Sequence, residues 1–92
     1  MNVTIRFFAQ FRERFGPVHE LTVPKGMQLI KVLREIAART SDGEAVLFAP
    51  DGRLNDYVII MRDSARIDRD RAATLELREG ETIAVFPPIA GG

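Results

Sequence analysis

Cysteine is absent from the 92 residues, which removes a disulfide framework, a thiolate metal site and a cysteine nucleophile together. Any thiol-type sulfur chemistry here has to use an atom that no side chain supplies. An excess of either charge is also missing. Thirteen basic residues face thirteen acidic ones, so no long-range field draws the chain toward nucleic acid or an anionic membrane. No apolar run is long enough to span a bilayer, and the start Met1-Asn2-Val3-Thr4-Ile5-Arg6 lacks the basic-then-apolar order of a targeting peptide. A cytoplasmic address, with neither nucleic-acid nor membrane partners, is the expectation. Histidine occurs once, as His19, with no Ser, Cys or Asp spacing that marks a nucleophilic triad. It is read as an ordinary surface or hairpin residue. The glycines at 16, 26, 43, 52 and 80 are isolated turn markers rather than a phosphate loop.

What is present is one compact domain, too small for a deep catalytic cleft. Val3, Ile5 and Phe7 alternate with Thr4, Arg6 and Phe8, the two-residue period of a half-buried strand over about 2–8. After Gly16-Pro17 the alternation resumes in His19-Glu20-Leu21-Thr22-Val23, so the two segments read as a hairpin. From Gln28 to Arg39, Leu29, Val32, Leu33, Ile36 and Ala37 recur at helical spacing. Gly26 and Met27 make a poor amino-terminal cap for that helix. Ser41-Asp42-Gly43 ends it, with the glycine expected in the left-handed conformation. Ala45 to Phe48 is open between a helical turn and a strand. Tyr57 to Met61 reads as a buried strand, Arg66-Ile67 as a short edge strand, and the charged run Asp63–Arg71 as a solvated loop. Asp68 and Asp70 within it are too few oxygens to argue a hard-cation site. Thr82 to Phe86, apolar almost throughout, reads as a last strand in the sheet interior. Strands around one helix give an α+β domain.

Four phenylalanines fall between residues 7 and 15. If Phe7 faces the core, Phe8 faces away from it, a candidate exposed aromatic. Phe11 and Phe15, four apart, share a face of one helical turn and close the bottom of the core. At the other end of the chain, Pro87-Pro88 stops the ladder after Phe86 and holds the next residues extended. Ile89 and Ala90 offer a modest apolar grip, and Gly91-Gly92 carry no side chains. Such an end enters a narrow channel and presents an unobstructed carboxylate, which ATP converts to a reactive mixed anhydride.

Phe7-Phe8-Ala9-Gln10-Phe11-Arg12-Glu13 with Gly16, the helix after Pro24-Lys25-Gly26, Gly80-Glu81 and the ending Phe86-Pro87-Pro88-Ile89-Ala90-Gly91-Gly92 together resemble the MoaD/ThiS sulfur-carrier family, closer to MoaD. The resemblance implies a ubiquitin-like β-grasp: a mixed sheet of four to five strands on one main helix, with a domain over 1–86 and an extended tail over 87–92. It implies a carrier without a side-chain catalyst or bound cofactor. An E1-like enzyme of the MoaB, MoeB or ThiF type uses ATP to adenylate Gly92. A donor such as a cysteine desulfurase or rhodanese then supplies the sulfur of a thiocarboxylate. Pro87, Pro88, Ile89, Ala90 and Gly91 insert into a MoaE-like large subunit of molybdopterin synthase, and Phe8, Phe86 and Arg12 lie at the partner interface. Carriers for cysteine synthesis or tRNA thiolation, and a modifier that acylates lysines, share the same tail. Two departures are visible: the segment 42–71 is longer than in compact MoaD proteins, and Arg62-Asp63 stands where many relatives have Asn-Gly.

Overall fold

A computed structural model describes residues 1–88; Ile89, Ala90, Gly91 and Gly92 lie outside the described residues. Strand β1, Asn2–Phe7, buries Val3, Ile5 and Phe7 and turns Thr4 and Arg6 the other way. It pairs antiparallel with β2, Val18–Thr22, placing Ile5 opposite His19. The expected hairpin is corrected in its connection. The two strands are joined by helix α1, Ala9–Phe15, rather than by a turn at Gly16-Pro17. The Phe11/Phe15 spacing explains this, because both rings are buried and extend the core past the end of β1. Gly16, at φ 93°, ends α1 with its N–H donating to the Arg12 carbonyl at 2.9 Å. His19 is likewise more than a surface residue. Half-buried, its Nε2 lies 2.6 Å from the Phe15 carbonyl oxygen, and its ring meets Phe7 edge-on.

Helix α2, Leu29–Ala38, buries the five apolar residues that its spacing marks. Each fully buried Leu, Val or Ile contributes roughly 1.5–3 kcal/mol relative to exposure. Its N-cap Gln28 makes no capping bond through its side chain. The Leu29 N–H donates instead to the Leu75 carbonyl at 2.9 Å, and Gln28 pairs with Glu76 in an isolated bridge. A neighbouring segment therefore does what a cap residue would do.

At the far end of α2 the left-handed residue is Asp42, φ 62°, and Gly43 opens helix α3, Gly43–Leu47. This corrects the reading of Gly43 as the left-handed residue and resolves the ambiguous 45–48 segment as largely helical. Gly43 is glycine for a different reason: it is buried, and a Cβ there would run into the Ala37 carbonyl and the Phe15 ring.

Strands β3, Ile59–Arg62, and β4, Ala65–Ile67, pair antiparallel. Asp63 and Ser64 between them both have positive φ, 50° and 66°, the sign pattern of a two-residue type I′ turn. The turn thus sits one residue beyond Arg62-Asp63, and Arg62 belongs to β3. The charged run 63–71 is not simply a solvated loop. It holds β4 and the start of helix α4, Arg69–Ala72, whose Ala72 is buried. Asp68 caps α4 by accepting the Arg71 N–H at 2.8 Å, and Asp70 pairs with Arg53.

Strand β5, Thr82–Phe86, lies inside the sheet as expected, parallel to β1 and antiparallel to β3. The order is β2-β1-β5-β3-β4, a five-stranded mixed sheet, as a β-grasp requires. Its inner face carries Val3, Ile5, Phe7, Ile60, Ile67, Ile83 and Val85 into one core with the buried side of α2.

Candidate functional site

The opposite face of the sheet is where the sequence-marked aromatics meet. Phe8 follows β1 and keeps its pairing one step further, its N–H donating to the Val85 carbonyl at 3.1 Å. Its own carbonyl accepts the N–H groups of Phe11 and Arg12, which makes Phe8 the N-cap of α1. Strand on one side and helix on the other fix the backbone, and alternation sends the ring to the outer face. Phe86 arrives at the same place from β5. The two half-buried rings stack with centroids 4.4 Å apart and planes 12° from parallel, at the short edge of the separations where aromatic pairs attract beyond simple area burial. The next residue, Ala9, has φ 52°, so the chain turns into α1 through a conformation that L-residues occupy at a cost.

Sheet register supplies the rest of the surface. Arg6, Ala84 and Met61 lie side by side across β1, β5 and β3, and Ile59 lies opposite Phe86. The Arg6 guanidinium carbon sits 5.5 Å from the centre of the Phe8 ring, close enough for a cation–π attraction. Two shallow depressions flank the stack and share Met61 and Phe86. One, of about 460 Å³, runs between Ile59, Ala9 and the two prolines; the other, of about 520 Å³, is bordered by Arg6, Phe8 and Thr82. Pro87 is buried and Pro88 exposed, so the chain leaves β5 along the more apolar of the two.

The structure therefore brings Phe8, Phe86, Pro87 and Pro88 together at one end of the outer face. It leaves Arg12 apart: exposed on α1, Arg12 lines neither depression. The guanidinium beside the aromatics belongs to Arg6, which sequence reading passed over, as it did Ile59, Met61 and Ala84. Strand parity would have found Arg6, since it is two residues from Phe8 and points the same way. The remaining expected site residues, Ile89, Ala90, Gly91 and Gly92, lie outside the described residues. Among the described residues, no group of three or more His, Asp or Glu side chains is placed to hold a metal ion, and no helix is long and apolar enough to cross a membrane.

A surface of this kind, apolar at its centre with a cation at its edge and set where the chain emerges, is equipped to dock a protein that acts on the residues after Pro88. The sequence profile of the ThiS family matches residues 5–92. Small archaeal modifier protein 3 of Haloferax volcanii is 31% identical over 93 residues, covering 100% of each chain. Among solved structures, that of SAMP1 from Haloferax volcanii superposes with a TM-score of 0.81 at 22% identity, again over 100% of each chain. The putative molybdopterin converting factor, subunit 1, from Pyrococcus furiosus gives 0.70 at 25% identity, over 97% of this chain and 99% of that one. The fold is the ubiquitin-like β-grasp, and the chain belongs to the ThiS family.

Proposed function

We propose that this protein is a sulfur carrier whose reactive group is the carboxylate of Gly92. An E1-like enzyme catalyses attack of that carboxylate on the α-phosphorus of ATP. Pyrophosphate leaves and an acyl-adenylate forms; a hydrosulfide equivalent from a donor protein then attacks the carbonyl carbon, expelling AMP and leaving a thiocarboxylate. The observation that carries this reading is the family match running through Gly92 in a chain without cysteine. Two glycines suit the chemistry because neither ATP nor the sulfur nucleophile meets a side chain on its approach to the terminal carboxyl group.

In this reading the Phe8–Phe86 stack with Arg6, Met61 and Ile59 is the docking surface, and Pro87-Pro88 line its more apolar depression just before the tail. A fully extended chain spans at most about 3.3–3.6 Å per residue, which sets an upper limit of roughly 20 Å on the reach of six residues after Phe86. The finer form of the proposal is delivery to a MoaE-like large subunit of molybdopterin synthase, supported by the likeness to the Pyrococcus furiosus protein. The chain then acts as the non-catalytic subunit. A second reading, transfer of the activated Gly92 to a lysine amine, is favoured by the modifier relative that matches along the whole chain.

The first test is ATP–pyrophosphate exchange by the E1-like enzyme, with the full chain and with a variant lacking Gly92. The full chain supports exchange and the shortened one does not, while both melt at the same temperature. Equal exchange with the two chains refutes the assignment of Gly92. Adding a MoaE-like subunit with pterin precursor, or lysine-bearing targets, then separates sulfur delivery from amide formation.

A further inference from the structure

We infer that the cleft between the 24–27 loop, the 71–78 segment and the end of β3 is a binding site for a small phosphorylated molecule. Its lining shares no residue with either depression beside the Phe8–Phe86 stack, and Arg62 is buried on the same side of β3 as Ile60, opposite to Met61. The site is thus distinct from the docking surface and independent of the function proposed for the tail.

The cleft measures about 560 Å³ and is lined by Lys25, Arg62, Arg71, Thr74, Glu76 and Arg78, with backbone and apolar atoms between them. Arg62 is the decisive member. Its side chain is only 6% exposed, yet it is a permanent cation carrying five N–H donors. Nε and Nη2 are engaged: Nε with Glu81 Oε1 at 2.8 Å, Nη2 with Glu81 Oε2 at 3.0 Å and with the Glu76 carbonyl at 2.8 Å. Nη1 has no partner among the described residues. Because no buried side-chain nitrogen or oxygen there lacks a hydrogen-bond partner, Nη1 keeps some contact with solvent, and Arg62 is one of the residues lining the cleft. A guanidinium locked by a carboxylate, with two donors left unengaged on a side chain that lines a cleft, is a preorganised oxyanion anchor.

Charge on the walls agrees. Glu81 already compensates Arg62, and among the described residues Lys25, Arg71 and Arg78 form no ion pair. Glu76 is the one carboxylate on the rim, where its Oε1 lies against Gly26. Three cations against one anion make a local positive site on a chain whose net charge is zero. The cleft falls in the size range of small-molecule sites, and a net charge of zero gives the chain no overall attraction for a nucleic acid strand. The Thr74 hydroxyl adds a neutral donor suited to a phosphoryl oxygen.

The test uses the full chain labelled with nitrogen-15 and titrated at constant ionic strength with inorganic phosphate, AMP, a short single-stranded oligonucleotide and a glutamate-rich peptide. Phosphate and AMP are expected to give saturable shifts at the amides of Gly26 and of Thr74 through Arg78, and at the Arg62 Nε–H. Arg71→Gln and Arg78→Gln, both exposed, each weaken AMP about threefold and together about tenfold, whereas Arg12→Gln on α1 changes nothing. Four results would each overturn the inference. They are shifts reproduced by chloride, shifts spread over basic residues elsewhere, wild-type affinity in the double variant, or tighter binding of the oligonucleotide or peptide than of AMP.

Discussion

Removing the carboxylate of Glu81 tests how the end of the sheet is held together. Arg62 and Glu81 are 6% and 8% exposed and share two hydrogen bonds of 2.8 and 3.0 Å in a fork. The same carboxylate also accepts the backbone N–H of Arg78. Glu81→Ala therefore leaves a guanidinium that water cannot fully reach and a backbone donor without its partner. Loss of one member of a buried pair costs about 3–5 kcal/mol. At 4–8 °C per kcal/mol for a domain of this size, the lower bound alone lowers the melting temperature by about 12 °C or more. Arg62→Met with Glu81→Ala removes both charges and puts an apolar side chain in place of the guanidinium, so the double variant is expected to be more stable than Glu81→Ala, with a coupling energy of about 2 kcal/mol in the cycle of wild type, Arg62→Met, Glu81→Ala and the double variant. Urea unfolding with a constant slope measures all four proteins. A Glu81→Ala loss below about 1 kcal/mol, or single losses that simply add, would refute the view that this pair is desolvated and interdependent.

Other consequences rest on the same structure. Gly43→Ala forces a methyl group against the Ala37 carbonyl and to within 3.1 Å of Phe15; thermal melting should show a loss of about 1–3 kcal/mol. Ser64→Gly relieves a left-handed residue at φ 66° and should raise stability by about 0.5 kcal/mol, the relief of about 1 kcal/mol being partly offset by a freer unfolded chain. Phe8→Ala and Phe86→Ala each remove half of the stack. Each should raise the KM of the E1-like enzyme for the carrier about 30-fold, from a loss of about 2 kcal/mol in docking. Turnover at saturation should change little, because the reacting carboxylate is not touched.

Much of the architecture was legible where a local period was enough. Alternation at Val3, Ile5 and Phe7 located β1, helical spacing from Leu29 to Ala37 located α2, and the apolar run before Pro87 placed β5 inside the sheet. What escaped depends on residues distant in sequence. The cap of α2 comes from Leu75, 46 positions away, and the need for glycine at 43 comes from the Ala37 carbonyl and Phe15. Nothing near Arg62 marks it as buried, since its partner Glu81 lies beyond α4. At the site, parity marked Phe8 as an outward aromatic, and the resemblance to the MoaD/ThiS family marked Phe86. The same parity marks Arg6, two residues before Phe8, whereas Ala84, Met61 and Ile59 join the site only once β1, β5 and β3 are in register.

The most direct test of the carrier assignment is the intact mass of the protein, with its carboxyl-terminal peptide sequenced, after incubation with the E1-like enzyme, ATP and a sulfur donor. A gain equal to the exchange of one oxygen for sulfur, localised to Gly92 and dependent on ATP, is the predicted result. An unchanged mass, with the same enzyme shown to be active on another carrier, would contradict the proposal that Gly92 carries sulfur.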